Sequence, residues 1–133
     1  MSSSVSIHKD DYPGASRRLY QDANHLYSQS RFATATHLFG LAAECAIKTF
    51  LDNIPGGDRQ IPKKHIPELL DDAKLWLQGR QRSHLLNVIS HPDYMHGWMI
   101  HNRYWPDTGF NKDDCERFRH DAYRTLSSLP DAI

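Results

Sequence analysis

The sequence predicts an all-α protein, an antiparallel bundle of four or five helices, and three observations carry that prediction. Apolar residues recur at spacings of three and four through five separate stretches, the period of a helix buried along one face. No stretch alternates apolar and polar residues between hairpin turns, and no long unit repeats. With 133 residues, 39% of them hydrophobic, the chain has material for one core and too little length for two.

Residues 1–12 are Ser-rich and charged, with too few apolar groups to repay ordering, so a flexible segment is expected there and a single domain over 13–133. The first helix runs from Ala15 to about Tyr27, where Leu19, Ala23, Leu26 and Tyr27 share a face until Ser28, Gln29 and Ser30 break it. The second, from Arg31 to Asn53, is the longest periodic run; Ser30 is placed to cap it, and Pro55, Gly56 and Gly57 lie past its end. It is apolar nearly all round, so it should be the central helix. Its small residues Ala35, Gly40, Ala42, Ala43 and Ala46 let neighbours approach closely.

A third helix is marked by Ile66, Leu69, Leu70, Ala73, Trp76 and Leu77, with Pro67 in its first turn and Gly79 closing it. A fourth spans about Arg82 to Ile89 before Pro92. The last runs from Asp113 to Leu129 with Cys115, Phe118, Ala122, Leu126 and Leu129 at helical spacing. Between these two, His91 to Gly109 reads as irregular.

Sixteen Lys and Arg balance sixteen Asp and Glu, so no whole-chain field announces a nucleic acid or an acidic partner, although a local basic patch remains open. The chain has no apolar run long enough to span a membrane and opens without a signal-peptide pattern, so a soluble, cytoplasmic protein is expected. Cys45 and Cys115 stand alone in helical segments, which predicts reduced core thiols rather than a disulfide framework or a zinc knuckle.

Two regions can carry chemistry. On the central helix His37, Glu44 and Lys48 fall within a narrow angular sector, a polar stripe on an apolar cylinder. Either Glu44 and Lys48 form an ordinary pair one turn apart with His37 solvated, or Glu44 is functional, and burial decides between them. The second region, His91 to Pro106, crowds three histidines, Arg103 and the rings of Tyr94, Trp98, Tyr104 and Trp105 into a loop or helix end. His91, His96 and His101 are spaced so that on a helix they diverge, so no metal site is expected. Trp98, Tyr104 and Trp105 are expected to plug the end of the bundle, with base stacking as the alternative.

The block Ser30 to Lys48, SRFATATHLFGLAAECAIK, together with the later Trp98-x4-Arg103-Tyr104 and the closing amphipathic helix, resembles bacterial HEPN-domain proteins over most of the chain. The resemblance implies an up-and-down helical bundle, a homodimer facing two active-site segments towards each other, and metal-independent RNA cleavage in a toxin–antitoxin or defence setting, with no cofactor. The family's signature is Arg, four to six residues of spacer, then His. After Arg103 those positions hold Thr108, Gly109 and Phe110. The same spacing occurs at Arg18 to His25, Arg31 to His37 and Arg59 to His65, but about two such matches are expected by chance in this composition.

Metal-free RNA cleavage needs a base near the 2′-hydroxyl, a proton for the leaving oxygen and positive charge at the phosphate. His96 or His101 suits the first two tasks, Arg103 the third, and Glu44 the orientation of an imidazole. The segment Asp58 to His84 holds six Lys and Arg against four acids, a net of plus two, which offers an RNA track through Lys63, Lys64, Arg80 and Arg82. The alternative, favoured by the broken signature, is a catalytically silent HEPN module that dimerises and binds a nucleotide or a co-encoded protein partner.

Overall fold

A computed structural model describes residues 8–54, 60–78 and 84–129. The described residues form five α-helices and no strand: α1 Tyr12–Ser28, α2 Phe32–Asp52, α3 Glu68–Leu77, α4 His84–Ile89 and α5 Lys112–Ser127. Two short 3-10 turns, Ile100–Tyr104 and Asp107–Gly109, lie in the connection before α5, a stretch the sequence reads as wholly irregular.

Capping accounts for where the helices begin. Asp11 caps α1 by accepting from the Gly14 N–H at 2.9 Å, so this helix starts three residues before the expected Ala15 and takes in Tyr12 from the segment read as flexible. Asn111 caps α5 in the same way, accepting from Asp114 N–H. The cap expected of Ser30 is not made. Ser30 has φ +60° in the tight turn joining α1 to α2, and Arg31 occupies the cap position without a side-chain hydrogen bond. That turn folds α1 and α2 into an antiparallel hairpin.

α2 is the central element and packs against α1, α3, α5 and both 3-10 turns. Ala35, Phe39, Ala42, Ala43, Ala46 and Ile47 along it are fully buried, each large side chain contributing about 1.5–3 kcal/mol by leaving water. Gly40 allows the closest approach: a Cβ there would lie inside the Trp98 ring, whose Nε1 donates to the Thr36 carbonyl at 3.0 Å. Trp98 therefore does plug the bundle. Tyr104 and Trp105 do not, at 67% and 43% exposed.

The segment before the turns is tied to α5 by polar groups that burial makes strong. Met95 N–H donates to Asp121 Oδ2 at 2.9 Å, holding Met95 at φ +49°, and the Tyr94 hydroxyl lies 2.6 Å from Thr125 Oγ1. Cys115 is buried as expected, whereas Cys45 is only half-buried. Among the described residues, no helix is long and apolar enough to cross a membrane.

Candidate active site

A carboxylate midway along a nearly apolar helix must find donors or give up its charge. Glu44 is 3% exposed and finds two. Its Oε1 accepts from the Ile66 backbone N–H at 2.9 Å, and its two oxygens lie 3.1 and 3.0 Å from His65 Nδ1. The local sequence explains the placement. Ile66, 1% exposed, anchors the segment leading into α3 in the core, which brings its own N–H and the preceding histidine over the middle of α2.

Burial pushes the Glu44 carboxyl above its ordinary range, while the hydrogen bonds from His65 and Ile66 pull it back. Two donors on one carboxylate favour the ionised form. An ionised carboxylate only accepts, so the His65 nitrogen facing it, Nδ1, is the one that donates, and Nε2 is directed away from Glu44.

The His65 side chain is half exposed and lines a cleft of about 620 Å³ between the start of α1 and the middle of α2. Lys9, Arg18, Lys48 and Lys63 line the same cleft against Asp10 and Asp11, four cations to two acids, and Asp11 is already engaged in capping α1. The Lys48 Nζ stands 5.9 Å above the Tyr12 ring. Cys45 shares the wall, but burial, reinforced by Glu44, pushes its thiol up to about 11, so it is protonated and a poor nucleophile. The arrangement is therefore an imidazole oriented by a buried carboxylate in a cleft with more cations than acids, groups able to exchange a proton beside an anion.

The residues singled out from sequence are dispersed. Glu44 is buried and held by His65 and Ile66, not by Arg103 and not in the simple pair with Lys48; His37 is half-buried against Trp98 rather than solvated. His96 is exposed, and its carbonyl accepts from Arg117 at 3.1 Å. His101 is exposed and meets Tyr104 edge-on at 5.6 Å. Arg103 lies over the Tyr104 ring and donates to the Ile100 carbonyl at 2.9 Å, lining a separate, smaller cavity with His37. Of the expected RNA track, Lys63 lines the cleft and Lys64 is paired with Asp72 at 2.8 Å. Arg80 and Arg82 lie outside the described residues. Among the described residues no three His, Cys, Asp or Glu side chains come together as a metal site.

Sequence reasoning missed His65, Lys9, Arg18 and Lys48 as members of one site. The only signal pointing at His65 was its spacing from Arg59, which composition alone explains, and Arg59 lies outside the described residues. Compared with known protein families, curated proteins and solved structures, the chain matches none.

Proposed function

We propose that this chain is a HEPN-like, cytoplasmic RNA-binding protein that cuts single-stranded RNA without a metal, as a toxin or defence component, and acts as a homodimer. The observation that carries the reading is the Glu44–His65 pair opening on a cleft with four cations. In this scheme His65 Nε2 takes the proton from a 2′-hydroxyl, and the 2′ oxygen forms a bond to phosphorus. The bond to the 5′ oxygen then breaks, and that oxygen leaves as a hydroxyl after taking a proton from Lys48 or Lys63. Products are a 2′,3′-cyclic phosphate and a 5′-hydroxyl end. Arg18 and Lys9 add positive charge as the phosphate becomes more anionic. Glu44 is a positioning residue, holding the imidazole in the tautomer that leaves Nε2 free.

His96, His101 and Arg103 have no place in this scheme, because none lines the cleft that holds the oriented imidazole. The test is incubation of purified protein with single-stranded RNA in EDTA, followed by end-group analysis. Cyclic phosphate ends support the reading; intact RNA at high protein concentration leaves the silent module as the better account.

A further inference from the structure

A second cavity lies along α2 from the His65 cleft, and its lining differs in kind. It measures about 120 Å³ and is lined by His37, Asn102, Arg103, Trp105, Asp107 and Phe110. The site is built on fixed parts. Asn102, 3% exposed, accepts from the Met99 N–H at 2.6 Å and so locks the 3-10 turn that carries Arg103. Arg103 uses one donor on the Ile100 carbonyl and leaves its others free for a ligand. The His37 ring is held parallel to Trp98, 15° apart with centroids at 6.1 Å, and its Nδ1 is sealed in the core without a partner. Trp105 is braced by Phe110 at 6.1 Å and lies against Gly109, while 43% of its surface remains open.

Two groups that can bear positive charge thus face one small cavity, with a braced, open indole at its rim and a single acid, Asp107, on its wall. Burial, with the Arg103 guanidinium facing the same cavity, holds the His37 imidazole below the ordinary range. An anion in this cavity would pair with the Arg103 guanidinium and accept a hydrogen bond from the His37 ring, and a flat ring over Trp105 would cover exposed apolar surface.

We infer that this cavity is a nucleotide subsite, in which Arg103 and His37 hold a backbone phosphate and Trp105 stacks the attached base. His37 and Glu44 are seven residues apart on α2, about 10 Å along the axis, so the two sites lie on one continuous line. A single strand laid along α2 enters the cavity with one nucleotide and presents a neighbouring phosphodiester to His65. The inference rests on the RNA reading, but binding and cutting are measured separately.

The test uses a fluorescein-labelled single-stranded deoxyhexanucleotide, which offers phosphates and bases but has no 2′-hydroxyl to attack. Trp105→Ala and Arg103→Gln alter exposed side chains, so both variants should melt as wild type does. Each is expected to weaken binding by about tenfold or more, the loss typical of one base stack or one charged phosphate contact. Unchanged affinity in both variants, with RNA still cut in a His65-dependent way, overturns the inference alone. A halved mass of these variants in light scattering assigns the cavity to a second copy of the chain and also overturns it. Wild-type protein that neither binds this probe nor cuts RNA brings down the RNA reading and the subsite with it.

Discussion

The Glu44 carboxylate, buried on the central helix, lies 3.0 Å from Nδ1 of His65, twenty-one residues later in the chain, and this pair joins the core of the bundle to a cleft lined by four cations. Its energetics make Glu44→Gln informative. Because burial raises the Glu44 carboxyl, the folded protein holds that proton more tightly than the unfolded chain does. The resulting stability is present below the unfolded value of 4.5 and is lost as pH rises through the raised folded value. Wild type should therefore lose stability relative to Glu44→Gln as pH rises above 4.5 and through the raised folded value, a trend that paired melts measure. The amide also offers an N–H to Nδ1, which moves the imidazole proton to Nε2. Activity should fall by about 10²- to 10⁴-fold in a folded protein, with the His65 tautomer change visible in ¹⁵N spectra.

Glu44→Ala should behave differently. It leaves the buried Ile66 N–H without an acceptor and opens a space beside α2, so a loss of about 2–4 kcal/mol in chemical denaturation is expected.

Gly40→Ala tests the packing of Trp98 against the middle of α2. The new methyl would occupy the Trp98 ring, which is 1% exposed and held by its hydrogen bond to Thr36, so neither can give way cheaply. Destabilisation of about 1–3 kcal/mol or more is expected, read from the denaturation midpoint.

The fold was legible in the sequence because it rests on local signals. The apolar period placed all five helices, and the all-round apolarity of the second marked it as central. Boundaries slipped where the controlling feature was one side chain's hydrogen bond: Asp11 moved the start of α1 forward, and Ser30 was drawn into a turn instead of a cap. The site was half legible. Glu44 stood out because a carboxylate on an apolar face needs a partner, but its partner is set by how the segment before α3 crosses α2, which no spacing encodes. His96, His101 and Arg103 stand out by proximity in sequence; His101 and Arg103 do meet, on the Tyr104 ring, but none of the three lines the cleft that His65 opens on. Lys63 and Lys64 look equivalent in the chain, yet Asp72 takes only Lys64.

That last difference is testable. Lys63→Ala removes a cation from the cleft and should lower the slope of log affinity against log salt for single-stranded RNA by about 0.7. Lys64→Ala breaks a half-exposed ion pair outside the cleft and should leave the slope as it is.

The proposed homodimer is expected to use the segment from His91 to Arg103 on the side of Met99, 41% exposed, and the neighbouring Tyr104, 67% exposed, neither of which lines the Arg103 cavity. Light scattering at micromolar protein should give twice the chain mass, falling to one chain in a Met99→Glu, Tyr104→Glu double variant; a single-chain mass in wild type removes the dimer.

The central claim is that His65 Nε2 is the base of a metal-free RNA cleavage, and the most direct measurement is single-turnover cleavage of a defined single-stranded RNA in EDTA by wild type and His65→Ala, each confirmed folded by its melt. The account predicts cyclic phosphate ends from wild type and a rate lower by about 10²- to 10⁴-fold in His65→Ala. A His65→Ala protein that cuts as fast as wild type would contradict it.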